Sequence, residues 1–192
     1  QGWYVVLELI VTSTLNGVLY GLLLFLMASG LTVIFSMLGV LNFAHASFYM
    51  LGAYIAYQVS TWVGFWPALV LAPLVLFLVG ALVERWGLRR VHKWGHVPEL
   101  LFTFGLSYII VELVQVIWGR QAVPYRVPPE LDGPVDWLLR YDITFPEYRM
   151  FMMAVAIAML VALWLVLTRT RIGLVIQAAL THPETVEALG HN

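Results

Sequence analysis

The distribution of apolar and charged residues is the first indication of how this chain folds. No Asp, Glu, Lys or Arg occurs from Leu9 to Val83. A charge at the centre of a helix in hydrocarbon costs about 2.5–3.5 kcal/mol on insertion scales, so such a run is typical of a lipid-embedded protein. Because a spanning helix needs about 20 apolar residues, the pattern predicts an all-α, polytopic transmembrane helical bundle with about five spans.

The predicted spans are separated by small, polar or charged residues. They cover residues 15–38, 48–62, 68–83, 100–118 and 150–168. The apolar segment 5–13 is too short to cross alone, so it either lies in the interface or lengthens the first span. The second span is short for a full crossing unless a broken or re-entrant helix near residues 41–47 also enters the membrane. Gly64-Phe65-Trp66-Pro67 predicts a turn with interfacial aromatics.

Cations orient the bundle, because cytoplasmic ends are enriched in Lys and Arg. Such residues follow the third span and the fifth span: Arg85, Arg89, Arg90, Lys93, Arg169 and Arg171. Alternation then places residues 119–147 in the periplasm, and their prolines predict an extended loop rather than helices. The predicted organisation is a transmembrane bundle over 1–168, with the loop 119–147 outside, and a cytoplasmic segment over 169–192.

Composition narrows the function classes. Hydrophobic residues make up 61% and charged residues 11%, and the net charge of −1 supplies no basic excess to hold nucleic acid. Without cysteine, the sequence excludes disulfides, thiolate metal sites and Cys nucleophiles. It contains neither a phosphate-binding loop of the G-x-x-x-x-G-K-[ST] type nor H-E-x-x-H. We therefore expect no enzyme activity, and neither cofactor nor metal in this chain.

A polar patch, Asn42-Phe43-Ala44-His45-Ala46-Ser47, follows the first span. One interpretation is a helix break whose backbone and side chains line a polar path, since irregular backbone at membrane depth survives only beside water or protein. The other is a short cytoplasmic turn with Asn42 as a helix N-cap. A single histidine such as His45 is more often a turn or interface residue than a proton carrier. Both interpretations stay open.

Glu112 lies inside the fourth predicted span. An intramembrane carboxylate is by default a functional-site hypothesis, because an unpaired one is so costly. The competing interpretation is structural: Glu112 is about one and a half turns from Trp118, so it could be hydrated or paired with Arg120.

The tail predicts two short helices on the cytoplasmic side. Thr181 and Glu184 have capping-box spacing, Pro183 suits a first turn, and Gly190 suits the stop after Leu189. Such a helix-turn-helix either docks on another protein or only connects membrane spans.

Several motifs, in this order and spacing, resemble those of the permease subunits of branched-chain amino acid ABC transporters. They are Asn16-Gly17 with Gly21, the run from Gly39 to Tyr54, Glu84-Arg85, and the tail from Arg171 to Asn192. The resemblance spans nearly the whole chain. It implies a bacterial inner-membrane subunit of an ATP-driven importer of branched-chain, hydrophobic amino acids. The implied partners are a second permease subunit, cytoplasmic ATPase subunits that bind ATP and Mg, and a periplasmic substrate-binding protein.

The resemblance also implies roles for individual residues. Residues 171–190 look like the segment that docks on the ATPase, with Gly173, Ala179, Pro183, Glu184, Leu189 and Gly190 as coupling positions. Asn16, Asn42, Phe43 and His45 are candidates for the transport pathway. Ala46-Ser47 stands where the family pattern has Gly and an acidic residue, and Leu174 where it has a small or basic one. Substrate choice therefore stays open, with urea or a short amide as the alternative.

Other function classes remain. A stand-alone channel or secondary transporter would use Glu112 or His45 to handle an ion. A non-transporting scaffold would use the outer loop to recruit a partner. The ABC permease is favoured because it accounts for both the tail and the missing nucleotide site.

Overall fold

The fold was analysed in a computed structural model, which describes residues 2–38 and 42–169 together with the isolated positions 174, 178 and 188–190. Within these ranges the regular elements are helical. In chain order they are α1 (Gly2–Leu38), α2 (His45–Val63), α3 (Phe65–Val83), a π-helical turn (Glu84–Leu88), α4 (Arg89–His92), α5 (His96–Trp118), a 3₁₀ turn (Pro129–Leu131), α6 (Asp136–Leu139) and α7 (Glu147–Arg169). The all-α, polytopic prediction is confirmed.

Each of the five predicted spans coincides with a helix. Four helical runs are long and apolar enough to cross a membrane: Gly2–Val33, Phe65–His92, His96–Trp118 and Glu147–Arg169. The helix α2 has 19 residues, but its His, Gln, Ser and Thr residues make it less apolar than these four runs. It is also the span that the sequence predicts to be short for a full crossing. The segment 5–13 is not a separate interfacial piece, because α1 runs through it without interruption. The segment 5–13 therefore lengthens the helix that contains the first span.

The chain divides into two compact units, Gln1–Gly30 with Val127–Asn192, and Leu31–Arg126. In the second unit, α2 and α3 form a helical hairpin joined by Gly64 alone. Gly64 has φ 93° and ψ 171°, a conformation that is essentially restricted to glycine. The turn predicted at Gly64–Pro67 is thus present, but it is a single residue, and Phe65 already begins the next helix.

The helix α5 packs against α2 in the same unit. Ala44, Ile110 and Val114 are buried at this contact and are flanked by Phe48, Leu51, Tyr54 and Trp118. At one end of the pair, the Tyr54 and Trp118 rings lie 5.1 Å apart, and Trp118 Nε1 donates to Gln58 Oε1 at 3.0 Å. A buried indole N–H that finds such an acceptor adds direction to an otherwise apolar contact.

A π-helical turn over Glu84–Leu88 separates α3 from α4 without ending the helix. Within it, Arg89 Nε donates to Glu84 Oε1 at 2.7 Å across five residues. Gly87 faces Phe102 of α5 so closely that an added Cβ would come within 2.5 Å of the ring. The charged end of the Phe65–His92 run therefore packs directly on the beginning of α5.

In the first unit, the segment 129–146 has more regular structure than its prolines predict. Pro134 and Pro146 form an isolated antiparallel bridge, and α6 lies between them. Val135, Leu138, Ile143 and Phe145 are buried together and contact Val11, Leu15 and Met150. The prediction of an extended loop without helices is wrong for Pro129–Leu131 and Asp136–Leu139, because apolar residues between the prolines supply a small core of their own. This core packs on α1 at Val11 and Leu15 and on the start of α7 at Met150.

We expect Gly64→Ala to lower the stability of the α2–α3 hairpin by about 1–3 kcal/mol, because a Cβ strains this backbone conformation. The measurement is thermal unfolding in detergent. The matched control is Gly80→Ala, a helical glycine beside which an added Cβ meets no atom within 4 Å. Equal unfolding midpoints for the two variants would contradict the strained turn.

Candidate functional site

The polar patch forms a turn at the start of α2. Asn42 Oδ1 accepts the N–H of Ala44 at 2.9 Å, and the His45 N–H donates to the Asn42 carbonyl at 3.3 Å. The N-cap position of α2 is Ala44, so the prediction of Asn42 as its N-cap is wrong. Asn42 instead forms an Asx turn just before α2, in which its side chain accepts the N–H of Ala44. The turn between the helices is thus stabilised by a side chain of its own. Residues 39–41, at the other side of the break, lie outside the described residues.

The turn is fixed to α5 by two hydroxyl side chains. Thr103 Oγ1 accepts the backbone N–H of Phe43 at 3.2 Å, and Ser107 Oγ is 2.6 Å from Ser47 Oγ. Thr103 is completely buried and Ser47 is 7% exposed. These bonds satisfy a backbone donor and two hydroxyls that would otherwise be costly in an apolar setting.

A buried carboxylate continues this polar face of α5. Glu99 is 1% exposed, and its Oε1 is paired with His92 Nδ1 of α4. Its other oxygen, Oε2, has no hydrogen-bond partner among the described residues and lies 3.7 Å from His96 Nδ1. Glu99, Thr103 and Ser107 recur every four residues, so they form a polar stripe along one helix face. We call these three residues, with Asn42, Ser47 and His92, the polar cluster.

An apolar cavity of about 380 Å³ lies between α2 and α3. Small residues open it, and two tyrosines are its main polar groups. The lining includes Tyr49, Gly52, Ala56, Ala68, Ala72 and Tyr125. Tyr125 lies in the segment after α5 and not in a helix. Burial raises the pKa of its hydroxyl. The cavity is shaped for apolar contact and offers few hydrogen bonds.

The first unit brings Asn16 to a cation. Arg149 Nη1, in the first turn of α7, donates to Asn16 Oδ1 of α1 at 2.6 Å. Both side chains are half-buried. Asn16 was selected from its sequence motif, whereas nothing in the sequence pattern indicated Arg149 as its partner.

The other predicted site residues are placed as follows. Phe43 is exposed, although its ring packs edge-on against Phe104 at 6.3 Å between centroids, and His45 is half-buried in the first turn of α2. Glu112 is exposed on the opposite side of α5 from the polar stripe, and in the described part of the chain it forms no ion pair with Arg120. The structure does not bring Glu112 to the polar cluster.

Most of the predicted coupling segment lies outside the described residues, including Gly173, Ala179, Pro183 and Glu184. Two of its positions are described. Leu189 is 72% exposed, and Gly190 has φ 88°, the left-handed conformation that suits a helix stop. In the ranges 2–38 and 42–169 no group of three or more His, Cys, Asp or Glu side chains could hold a metal ion.

Sequence reasoning missed Glu99, Thr103, Ser107 and Arg149. The first three carried a readable signal, namely polar residues at a spacing of four within an apolar helix. Arg149 carried no such signal, because it lies at the beginning of a predicted span, where charged residues are common.

Known proteins resemble this chain over nearly its full length. Residues 13–192 match the family described as the permease component of the branched-chain amino acid transport system. The high-affinity branched-chain amino acid transport system permease protein LivH of Escherichia coli K12 is 26% identical over 196 residues. That alignment covers 92% of this chain and 61% of the relative.

Two further relatives agree. The permease protein BraD of Pseudomonas aeruginosa is 24% identical, over 92% of this chain and 61% of its own length. The probable permease protein LivH of Methanocaldococcus jannaschii is 26% identical, over 91% and 56%. The chain thus spans about three fifths of the length of these curated relatives. No solved structure matches it significantly.

We expect Thr103→Val to loosen the turn, because the buried N–H of Phe43 loses its acceptor at a cost of about 1–3 kcal/mol. Amide hydrogen exchange at Phe43 and Ala44, followed in detergent micelles, should become roughly 5- to 100-fold faster. The matched control is Thr168→Val, whose hydroxyl bonds only to the Trp164 carbonyl of its own helix. Unchanged exchange at Phe43 in Thr103→Val would show that the inter-helix bond is not formed.

Proposed function

Because the chain belongs to the family of permease components of branched-chain amino acid transport systems, we propose that it is the membrane-spanning permease of an ATP-driven importer of hydrophobic amino acids. The observation that carries the proposal is the family match over residues 13–192, which includes the helices, the polar break and the tail. The four apolar helices make the protein a multi-pass membrane protein. The location proposed with this function is the bacterial inner membrane.

The proposal divides labour between this chain and its partners. ATP and Mg would be bound by cytoplasmic ATPase subunits, and substrate would arrive from a periplasmic binding protein. A second permease subunit would complete the pathway. Alternating access then needs one part of the permease to move against another while polar groups stay paired. The polar cluster supports this role, because it joins the chain break to α5 by directional bonds rather than by apolar packing alone.

The substrate class is tested by transport. The full-length protein should be purified with its native partners and reconstituted into vesicles with the binding protein. We expect ATP-dependent uptake of radiolabelled leucine, isoleucine and valine that is at least tenfold faster than uptake of urea or a short amide. Preference for urea or the amide would assign the chain to the other substrate class. Absence of any uptake would contradict a transport function.

Coupling is tested at the tail. In the reconstituted complex, Leu189→Asp combined with Pro183→Ala should abolish substrate-stimulated ATP hydrolysis or release the ATPase subunits, because a charge replaces an exposed apolar docking residue. The matched control is Leu139→Asp, also an exposed leucine but in α6 of the predicted periplasmic segment. Normal stimulation in the tail variant would contradict a coupling role for residues 171–190.

A further inference from the structure

Arg149 forms no ion pair with any carboxylate of the described residues, although Glu147 lies in the same turn of α7. The ion pairs of the described residues join Glu84 to Arg89, and Glu99 to two histidines. None involves Arg149, whose hydrogen bond to Asn16 is to a neutral amide. This half-buried guanidinium is therefore held in the described structure by a neutral group and not by a carboxylate.

Neither helix physics nor topology explains a cation here. Arg149 is the third residue of α7, about 3 Å from its beginning. The positive end of the helix dipole disfavours a cation in the first turn. In the predicted topology this is also the outer end of the span, whereas cations that orient a membrane protein collect at cytoplasmic ends. The position is therefore unfavourable by two independent criteria, which points to an anionic ligand.

The hydrogen-bond geometry specifies the kind of anion. A guanidinium has five N–H donors in a planar fork, and in the described structure Asn16 engages one of them through Nη1. The remaining donors can form two parallel bonds to one carboxylate, the arrangement that arginine forms more readily than lysine. Asn16 fixes the orientation of the fork without neutralising it. Such a preorganised, partly desolvated cation binds a carboxylate more strongly than one in free solvent.

The surface of α1 next to Asn16 is open in the described structure. On α1, Gly17 follows Asn16 and Gly21 lies one turn further, and an added Cβ at either position would meet no atom within 4 Å. Tyr20, one turn from Asn16 on the same face, is 57% exposed.

We propose that Arg149, held by Asn16, binds the α-carboxylate of the transported amino acid at the outer end of the permease. The inference rests on the proposed function, because only an amino acid substrate brings this carboxylate to the site. It assigns Arg149 the task of distinguishing amino acids from neutral amides and amines of similar shape.

The direct test measures the contact itself. The full transporter is labelled with [¹⁵N]arginine, reconstituted, and loaded with [1-¹³C]leucine. Solid-state NMR should show a carboxylate-to-guanidinium dipolar contact in the wild type, and Arg149→Lys should abolish it. The matched control is Arg140→Lys, an exposed arginine at the end of α6, which should retain it. Absence of the contact with leucine bound, or its persistence in Arg149→Lys, would overturn the proposal.

Uptake separates this proposal from the proposed function. Leucine uptake by Arg149→Gln, which retains a donor for Asn16 but no charge, should fall about 10- to 100-fold, as loss of a charge-assisted bond implies. Arg149→Lys should fall less, and Arg140→Gln should match the wild type. If the wild type transports leucine and Arg149→Gln transports it at the same rate, the carboxylate site alone is overturned. No leucine uptake by the wild type would overturn the proposed function, and this site with it.

Discussion

A polar group between the helices of a membrane-spanning protein is costly unless the protein itself supplies a hydrogen-bond partner, because hydrocarbon supplies none. The constraint is most severe at Asn42–Ala44, where the chain enters α2. There the side chain of Asn42 accepts the N–H of Ala44, and Thr103 of α5 accepts the N–H of Phe43. The turn before α2 is thus stabilised because α5 carries the hydroxyls of Thr103 and Ser107 next to Phe43 and Ser47. The position of α5 against α2 is consequently set by directional bonds as well as by apolar packing.

The same constraint explains Glu99. A fully buried carboxylate is costly unless it is paired, and His92 provides that pairing from the short helix before α5. The pairing needs α4 to turn back onto the beginning of α5, which the close approach of Gly87 and Phe102 permits. The charged elbow between these helices is therefore a packed part of the protein, and its cations have structural neighbours beyond their role in orientation.

The helices could be predicted from sequence because the cost of charge in lipid leaves a readable signature, as the uncharged run from Leu9 to Val83 illustrates. The turn at Gly64 was equally readable from its interfacial aromatics. Contacts between elements were not. Nothing in the sequence tells which helix Thr103 or Arg149 faces, because spacing defines a face but not its neighbour. The small core around Phe145 was missed for another reason, since prolines suggested extended backbone while the apolar residues between them had no periodic pattern long enough to interpret.

The π-helical turn at Glu84–Leu88 has a geometric consequence for the helical run that contains it. In a regular α-helix, residues five apart differ by about 140° around the axis, so Glu84 and Arg89 would point to different sides. The wider turn rotates them into contact, and their carboxylate and guanidinium meet at 2.7 Å. The run Phe65–His92 therefore has two angular phases, one for its apolar part and one for its charged end. The π-helical turn changes the direction in which the cations of α4 point. That direction is therefore not fixed by the face that α3 packs against neighbouring helices.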